Sequence, residues 1–194
     1  MVTIVQKEDP VLRGIAEPVN PKDFGTPQLK KVLDNMAKAM EKEEDGVAIA
    51  APQIGVPLRI FVVSHRAFEF EDEETEHELH ESNTPHEDQR VRRSNMVFIN
   101  PVITKLSRKK VWMPEGCLSV RWLYGEVQRA EKATVRAYDE NGKVFTWGGS
   151  GLMAQIFQHE TDHLNGALFI DTARKVETIT KEDQERMRKE DASK

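Results

Sequence analysis

The spacing of apolar residues along the chain changes several times, and each change marks an element. Between residues 26 and 45, Leu29, Val32, Leu33, Met36, Ala37 and Met40 recur at i, i+3, i+4 and i+7, which predicts an amphipathic helix with one face on a core. Thr26 supplies its cap, Pro27 suits its first turn, and Gly46 can close it. Leu58 to Val63 and Met96 to Ile103 are rich in β-branched and aromatic residues and predict strands, the second interrupted or edge-like at Pro101. Ala133 to Tyr138 and Lys143 to Trp147 flank Asn141-Gly142, a strong hairpin signal. Residues 46 to 55, G-V-A-I-A-A-P-Q-I-G, place small residues around alternating aliphatics. That pattern suits an extended segment that accepts a peptide strand, with Val47 and Ile49 lining a pocket, and equally a turn-rich connection.

Leu152, Ile156, Phe157, Leu164, Leu168 and Phe169 make residues 149 to 169 apolar enough for a buried helix, with Ser150 available as its cap and Gly166 as its stop. Within it stands H-E-T-D-H. His159 and His163 are four residues apart and project from one helical face, so both imidazoles can reach one metal ion, with Glu160 beside the open coordination position. Histidines at this spacing are often ordinary core or surface residues, but a buried helix supplies the dry surroundings that metal chemistry needs. The pentad lacks a third ligand.

Composition narrows the setting. The 194 residues fit one domain, 38% of them are hydrophobic and 31% charged, and no run approaches the roughly 20 apolar residues of a membrane span. Lys7, Glu8 and Asp9 stand where a signal peptide would need an apolar core, so neither export nor an organelle transit peptide is expected. Cys117, on a glycine-containing turn, is the single cysteine. No internal disulfide is available to it, so its sulfur is inert, reactive or a ligand, and a reducing cytoplasm is its natural home. The net charge of −5 is uneven: Phe68 to Gln89 holds ten Asp or Glu and no Lys or Arg, leaving the rest of the chain at +5. This segment, about 68–90, is expected to be a solvated insertion, and its His77, His80 and His86 to be unliganded surface histidines. Its carboxylates are the wrong charge for sequence-specific nucleic-acid binding. The polar end, about 176–194, is expected to be a frayed helix or a disordered tail.

Three stretches in order, Gly46 to Gln53, Glu115 to Ser119 (E-G-C-L-S) and Gln158 to His163 (Q-H-E-T-D-H), resemble the three signature motifs of the peptide deformylases. These are metal enzymes that remove the formyl group from nascent polypeptides. The resemblance spans nearly the whole chain as a single catalytic domain, 1–194, with the acidic insertion and the tail as variable parts. It implies an α+β fold in which antiparallel β-sheets wrap a central metal-binding helix, with the amphipathic helix N-terminal to them. It also implies Cys117, His159 and His163 as ligands of Fe(II), for which zinc, nickel or cobalt can substitute. Such a set keeps one position open for hydrolytic chemistry, and a thiolate lowers the net charge of the site.

By the same resemblance Glu160 is the general base and then acid, while the Leu118 N–H and the Gln53 side-chain amide stabilise the oxyanion. Val47, Ala48, Ile49, Glu115, Gly116, Leu152, Gln155 and Ile156 would line the substrate site. The implied partners are N-formylmethionyl peptides and, transiently, the ribosome; the last fourteen residues balance five basic against five acidic side chains, so docking through the tail should be weak. The chain departs from the family pattern at Ala48, where a second glycine is usual, at Arg121, where proline is common, and at Gln155, where an aliphatic residue is common. The Gln155 amide is expected to turn aside to a backbone group or water, the alternative being that it faces the pocket. A metallopeptidase using the pentad with a third ligand other than Cys117 is the competing function.

Overall fold

The computed structural model describes residues 2–68, 94–180, 182, 183 and 186. The acidic insertion after Phe68, with its three histidines, and most of the tail lie outside them, whereas Phe68 itself is buried in the core.

Helix α1 runs Pro27–Glu41, with the Thr26 hydroxyl accepting from the Leu29 N–H and with Leu29, Met36, Ala39 and Met40 buried. It ends short of Gly46 because Glu41 to Asp45 carry nothing to bury. The chain turns instead, Glu43 N–H to Met40 O and Gly46 N–H to Glu43 O, and a Cβ on Gly46 would sit 2.7 Å from Met40 O. Next come strand β1, Ala48–Ala50, and a 3-10 turn, Ala51–Ile54, so the small-residue stretch is extended first and turns afterwards.

Strands β2 (Ile60–Val63), β3 (Met96–Leu106), β6 (Lys132–Tyr138) and β7 (Val144–Ser150) join β1 in a five-stranded antiparallel sheet of order β1-β2-β3-β6-β7. The interruption expected near Pro101 is a bulge: the register slips between Ile99 and Val102, Asn100 takes φ 50°, and its amide bonds the N–H and C=O of Val19. The hairpin turns at Gly142, φ 80°. Strands β4 (Lys110–Gly116), β5 (Leu123–Ala130) and β8 (Arg174–Thr178) form a second antiparallel sheet, β4-β5-β8. Strand β8 corrects the expected start of the tail. All five of its residues are exposed, so it is held by backbone pairing to β5 and shows no apolar alternation.

Helix α2, Gly151–Leu164, is the pivot of the molecule. Strands β1 and β2 and the start of β3 alternate between two covered faces. Ala48, Ala50, Phe61, Val63 and Phe98 pack with Met153, Ala154 and Phe157 of α2, whereas Ile49, Ile60, Val62 and Ile99 pack with Leu29, Met36 and Met40 of α1. Ile49 therefore belongs to the α1 core and is fully buried there, instead of lining a pocket beside Val47. Period-two alternation within β1 turns it away, and Val47 lies ahead of the strand.

Candidate metal and substrate site

Because α2 is covered on most sides, every polar residue on it needs a partner. Four of them find one in the three-stranded sheet. Gln155 Nε2 donates to Pro114 O (2.7 Å). The Gln158 amide bonds both backbone groups of Ala130 (2.9 and 3.0 Å). His159 Nδ1 meets Glu115 Oε2 at 3.0 Å, and Asp162 Oδ2 accepts from Arg129 Nη1 at 2.6 Å. Arg129 also grips Glu115 through Nε and Nη2, at 2.6 and 3.0 Å. Arg129 and Glu115 are both buried, so each charge is tolerable only because the other is there.

These ties aim the histidines. The His159 and His163 rings lie 4.9 Å apart, edge to face. Cys117, just past β4, brings its Sγ to 3.2 Å from His163 Nε2. One donor atom from each of Cys117, His159 and His163 lies within 4.8 Å of the others. A cysteine sulfur and two imidazole nitrogens this close are the donor set of a tetrahedral cation with bond lengths of about 2.0–2.3 Å. Glu160 Oε2, buried and with no partner among the described residues, belongs to a side chain that borders the same centre.

Electrostatics agree with this reading. Burial alone would raise the Glu115 carboxyl, yet the hydrogen bonds and charges of His159 and Arg129 overcome it and hold the group down to about 2. Glu115 is therefore an anion that fixes His159 in one tautomer, as ligand-orienting carboxylates do. Burial also opposes charge on His159, but its bonds to Cys117 and Glu115 raise it well above the usual imidazole range, while burial and the neighbouring His159 push His163 well below it. A bound cation requires both rings neutral. Glu160, 3% exposed, is pushed up to about 7 by burial, which His159 only partly offsets.

A cleft opens over this centre. Asp45, Val47, Ala48 and Gln53 form one wall, Pro114 to Leu118 and Tyr124 the other, and Leu152, Gln155, Ile156, His159 and Glu160 the floor. Of the residues expected along the substrate, Val47, Ala48, Glu115, Gly116, Leu152, Gln155 and Ile156 lie here and Ile49 does not. Glu115 is present but spends both carboxylate oxygens on Arg129 and His159. The Leu118 N–H finds no acceptor among the described residues. Gln53 is pinned at both ends: its Oε1 accepts from the Ala50 N–H (2.7 Å), and its Nε2 donates to Ser119 Oγ (3.2 Å) and Cys117 Sγ (3.5 Å). Tyr124 closes over Gly116 so tightly that a Cβ there would lie 2.5 Å from the ring. Sequence reading missed Arg129 and Asp162. The signal open to it was the Asp inside the pentad, a carboxylate on a helix destined for burial and so in need of a cation.

The family model described as Polypeptide deformylase matches residues 1–178. A peptide deformylase 1A of Arabidopsis thaliana, named chloroplastic/mitochondrial, is 40% identical over 168 residues, which are 87% of this chain and 60% of that protein's length. The peptide deformylase of Erythrobacter litoralis is 36% identical over 170 residues, 87% of each chain. A Met-Ala-Ser-bound crystal structure of a class I type b peptide deformylase from Acinetobacter baumannii superposes with a TM-score of 0.69 at 29% identity, covering 87% of this chain and 96% of that one. With its three motifs gathered at one centre, this chain belongs to the polypeptide deformylase family, metal-dependent hydrolases that remove the N-formyl group from nascent peptides.

Proposed function

We propose that this chain deformylates N-formylmethionyl peptides, with Cys117, His159 and His163 holding Fe(II) and with zinc, nickel or cobalt as substitutes. The carrying observation is the closeness of these three donors beside a buried Glu160 that lacks a partner. When bound, the cation supplies Lewis acidity that activates water and polarises the formyl carbonyl. Glu160 takes a proton from the attacking water. As the new C–O bond forms and the C–N bond breaks, it delivers that proton to the departing amine, leaving formate and a free amino terminus.

The Leu118 N–H, and the Gln53 amide once it turns from the sulfur, donate to the oxygen that gains charge. Val47, Leu152, Gln155 and Ile156 receive the methionine side chain. Strands β1 and β4 are sheet edges on opposite walls, so their backbones at Ala48 and Gly116 can pair an extended peptide between them. The Met-Ala-Ser ligand of the Acinetobacter structure supports a peptide of this kind here.

None of the described helices is long and apolar enough to cross a membrane. We place the protein in the cytoplasm, where a single free thiol remains available to a metal. Its ribosome contact is transient and weak through the charge-balanced tail. The metallopeptidase alternative needed a third ligand other than Cys117, and Cys117 is the residue that joins the two histidines among the described residues. The test is formate release from formyl-Met-Ala-Ser by protein reconstituted anaerobically with iron. Iron-loaded, folded protein that releases no formate would overturn the assignment.

A further inference from the structure

The two walls of the cleft belong to different sheets, and Arg121 joins them at the opening. It lies between β4 and β5, on the Cys117 side. Its Nη1 donates to Asp45 Oδ2 (2.6 Å), and its Nη2 to Asp45 Oδ1 (2.9 Å) and Glu43 Oε2 (2.7 Å), both on the turn between α1 and β1. The guanidinium rests 5.0 Å from the centre of the Trp122 ring, and its side chain is only 17% exposed. The acidic turn is itself anchored, since Arg66 Nη1 donates to the carbonyls of Glu43 and Glu44 (3.3 and 3.1 Å). Asp45 lines the cleft. Other ties between the walls lie close to the metal centre, where Gln53 meets Ser119 and Gln6 Nε2 meets Leu118 O. The contacts of Arg121 with Asp45 and Glu43 form an ionic tie at the rim.

We propose that Arg121 is a positioning residue for the peptide: by clamping Asp45 and Glu43 it fixes the gap between the edges of β1 and β4, and so sets how well residues after the formylmethionine are bound. The inference rests on the deformylase reading. An extended chain paired on both sides needs its flanking strands about 10 Å apart, twice the inter-strand spacing of roughly 4.8 Å. Errors of a few tenths of an ångström lengthen every hydrogen bond of one ladder. The formyl group is held by α2, Gln53 and Leu118, and the hydrogen bonds of the Arg121 guanidinium go to Asp45 and Glu43 instead. Loosening the rim therefore weakens binding of the downstream residues and leaves chemistry intact. Exposed ion pairs are usually worth little, but a forked pair with a largely buried guanidinium belongs to the stronger class.

The experiment measures kcat and KM of the iron-loaded enzyme for formyl-Met and for formyl-Met-Ala-Ser, in the wild type, Arg121→Gln, Arg121→Lys, Asp45→Asn and the Arg121→Gln/Asp45→Asn double variant, with Tm recorded for each. For Arg121→Gln the tripeptide KM should rise about tenfold, with kcat and the formyl-Met KM within about twofold, as loss of one charge-assisted forked contact implies. The double variant should be no worse than Arg121→Gln alone, because in the clamp Asp45 acts through Arg121. Arg121→Lys keeps the charge without the fork, so it should fall between wild type and Arg121→Gln, and it carries the test if the glutamine variant does not fold. An unchanged tripeptide KM, an equal rise for both substrates, or a fall in kcat matching the rise in KM would each overturn the clamp. A wild type that releases no formate from either substrate overturns the deformylase reading instead.

Discussion

Helix α2 meets the two sheets through different physics. Toward the five-stranded sheet it presents Met153, Ala154 and Phe157, whose partners Phe61 and Phe98 stack on each other 4.5 Å apart and lean on Phe157 at 6.3 and 5.4 Å. Toward the three-stranded sheet it presents Gln155, Gln158, His159 and Asp162, each holding a specific backbone or charged group. Apolar packing is non-directional, so the first face needs the right volume in roughly the right place. Hydrogen bonds are directional, and the second face fixes particular atoms to within tenths of an ångström. The first face gives the helix a place, and the second orients His159 and brings β4, hence Cys117, beside the two histidines.

That contrast should be sharpest in catalysis. Glu160→Gln keeps size and burial, so folding and metal content should stay as in the wild type while kcat falls by about 10²–10⁴-fold, the range for loss of a general acid–base. Metal analysis with single-turnover formate release checks it, and retained turnover would remove Glu160 from the chemistry.

Next in size is a matched pair of cuts, one on each face. Phe157→Ala should cost about 3–5 kcal/mol of stability through cavity formation yet leave bound metal near stoichiometric in the folded protein. Arg129→Met should cost about the same, because it strands buried Glu115, and should also lower metal affinity by roughly 10–100-fold as His159 loses its oriented support. Denaturant melts with metal titration separate the two. Equal metal loss in both variants would erase the distinction between the faces.

The apolar half was legible in the residues, and much of the polar half was not. Periods of 3.6 and 2 are local, so α1, the β6–β7 hairpin and the pentad helix could be read from neighbours a few positions apart. The metal histidines were readable for the same reason, and the three motifs fixed the family and the fold it implies. Arg129 is 14 residues from Glu115 and 33 from Asp162, a separation that no local pattern reports. Strand β5 went unread because Gly125 breaks its alternation; that glycine lets β8 close in, a Cβ there lying 3.1 Å from Ala173 Cβ and 3.2 Å from Arg174 O. Strand β8, wholly exposed, carries no apolar signal at all. Ile49 was read onto the wrong face because Val47 and Ile49 look like one alternating run, whereas pairing with β2 begins only at Ala48.

A smaller effect tests how far the polar face reaches into specificity. The Gln155 amide turns aside to Pro114 O, as expected, yet its side chain still borders the cleft. Gln155→Ile should cost about 1–3 kcal/mol by leaving that carbonyl short of a donor. It should also raise the kcat/KM preference for formyl-Met over formyl-Gln by only a few fold, within the roughly 1–3 kcal/mol that one pocket contact commands. An unchanged preference would place the side chain out of the substrate's reach.

The smallest effect lies away from both faces. The hydrogen bond from Arg13 holds the Asp171 carboxyl below its ordinary 3.8, with help from the Leu168 N–H. A depressed carboxyl pKa stabilises the fold above the unfolded value and loses that contribution as pH falls through the folded one. Asp171→Asn should therefore flatten the acid limb of the stability curve below about pH 4 and change little at neutrality, the pair being partly exposed and solvent-screened. Melts at several pH values check it, and a large loss at pH 7 would mean the contact matters more than screening allows.

The most direct test of the central claim, that the polar face of α2 and the Cys117 turn assemble one metal centre, is X-ray absorption on protein loaded with a single equivalent of zinc. The account predicts one sulfur near 2.3 Å and two imidazole nitrogens near 2.0 Å, with the sulfur contribution absent in Cys117→Ser. A first shell without sulfur in the wild type, or one unaffected by Cys117→Ser, would contradict it.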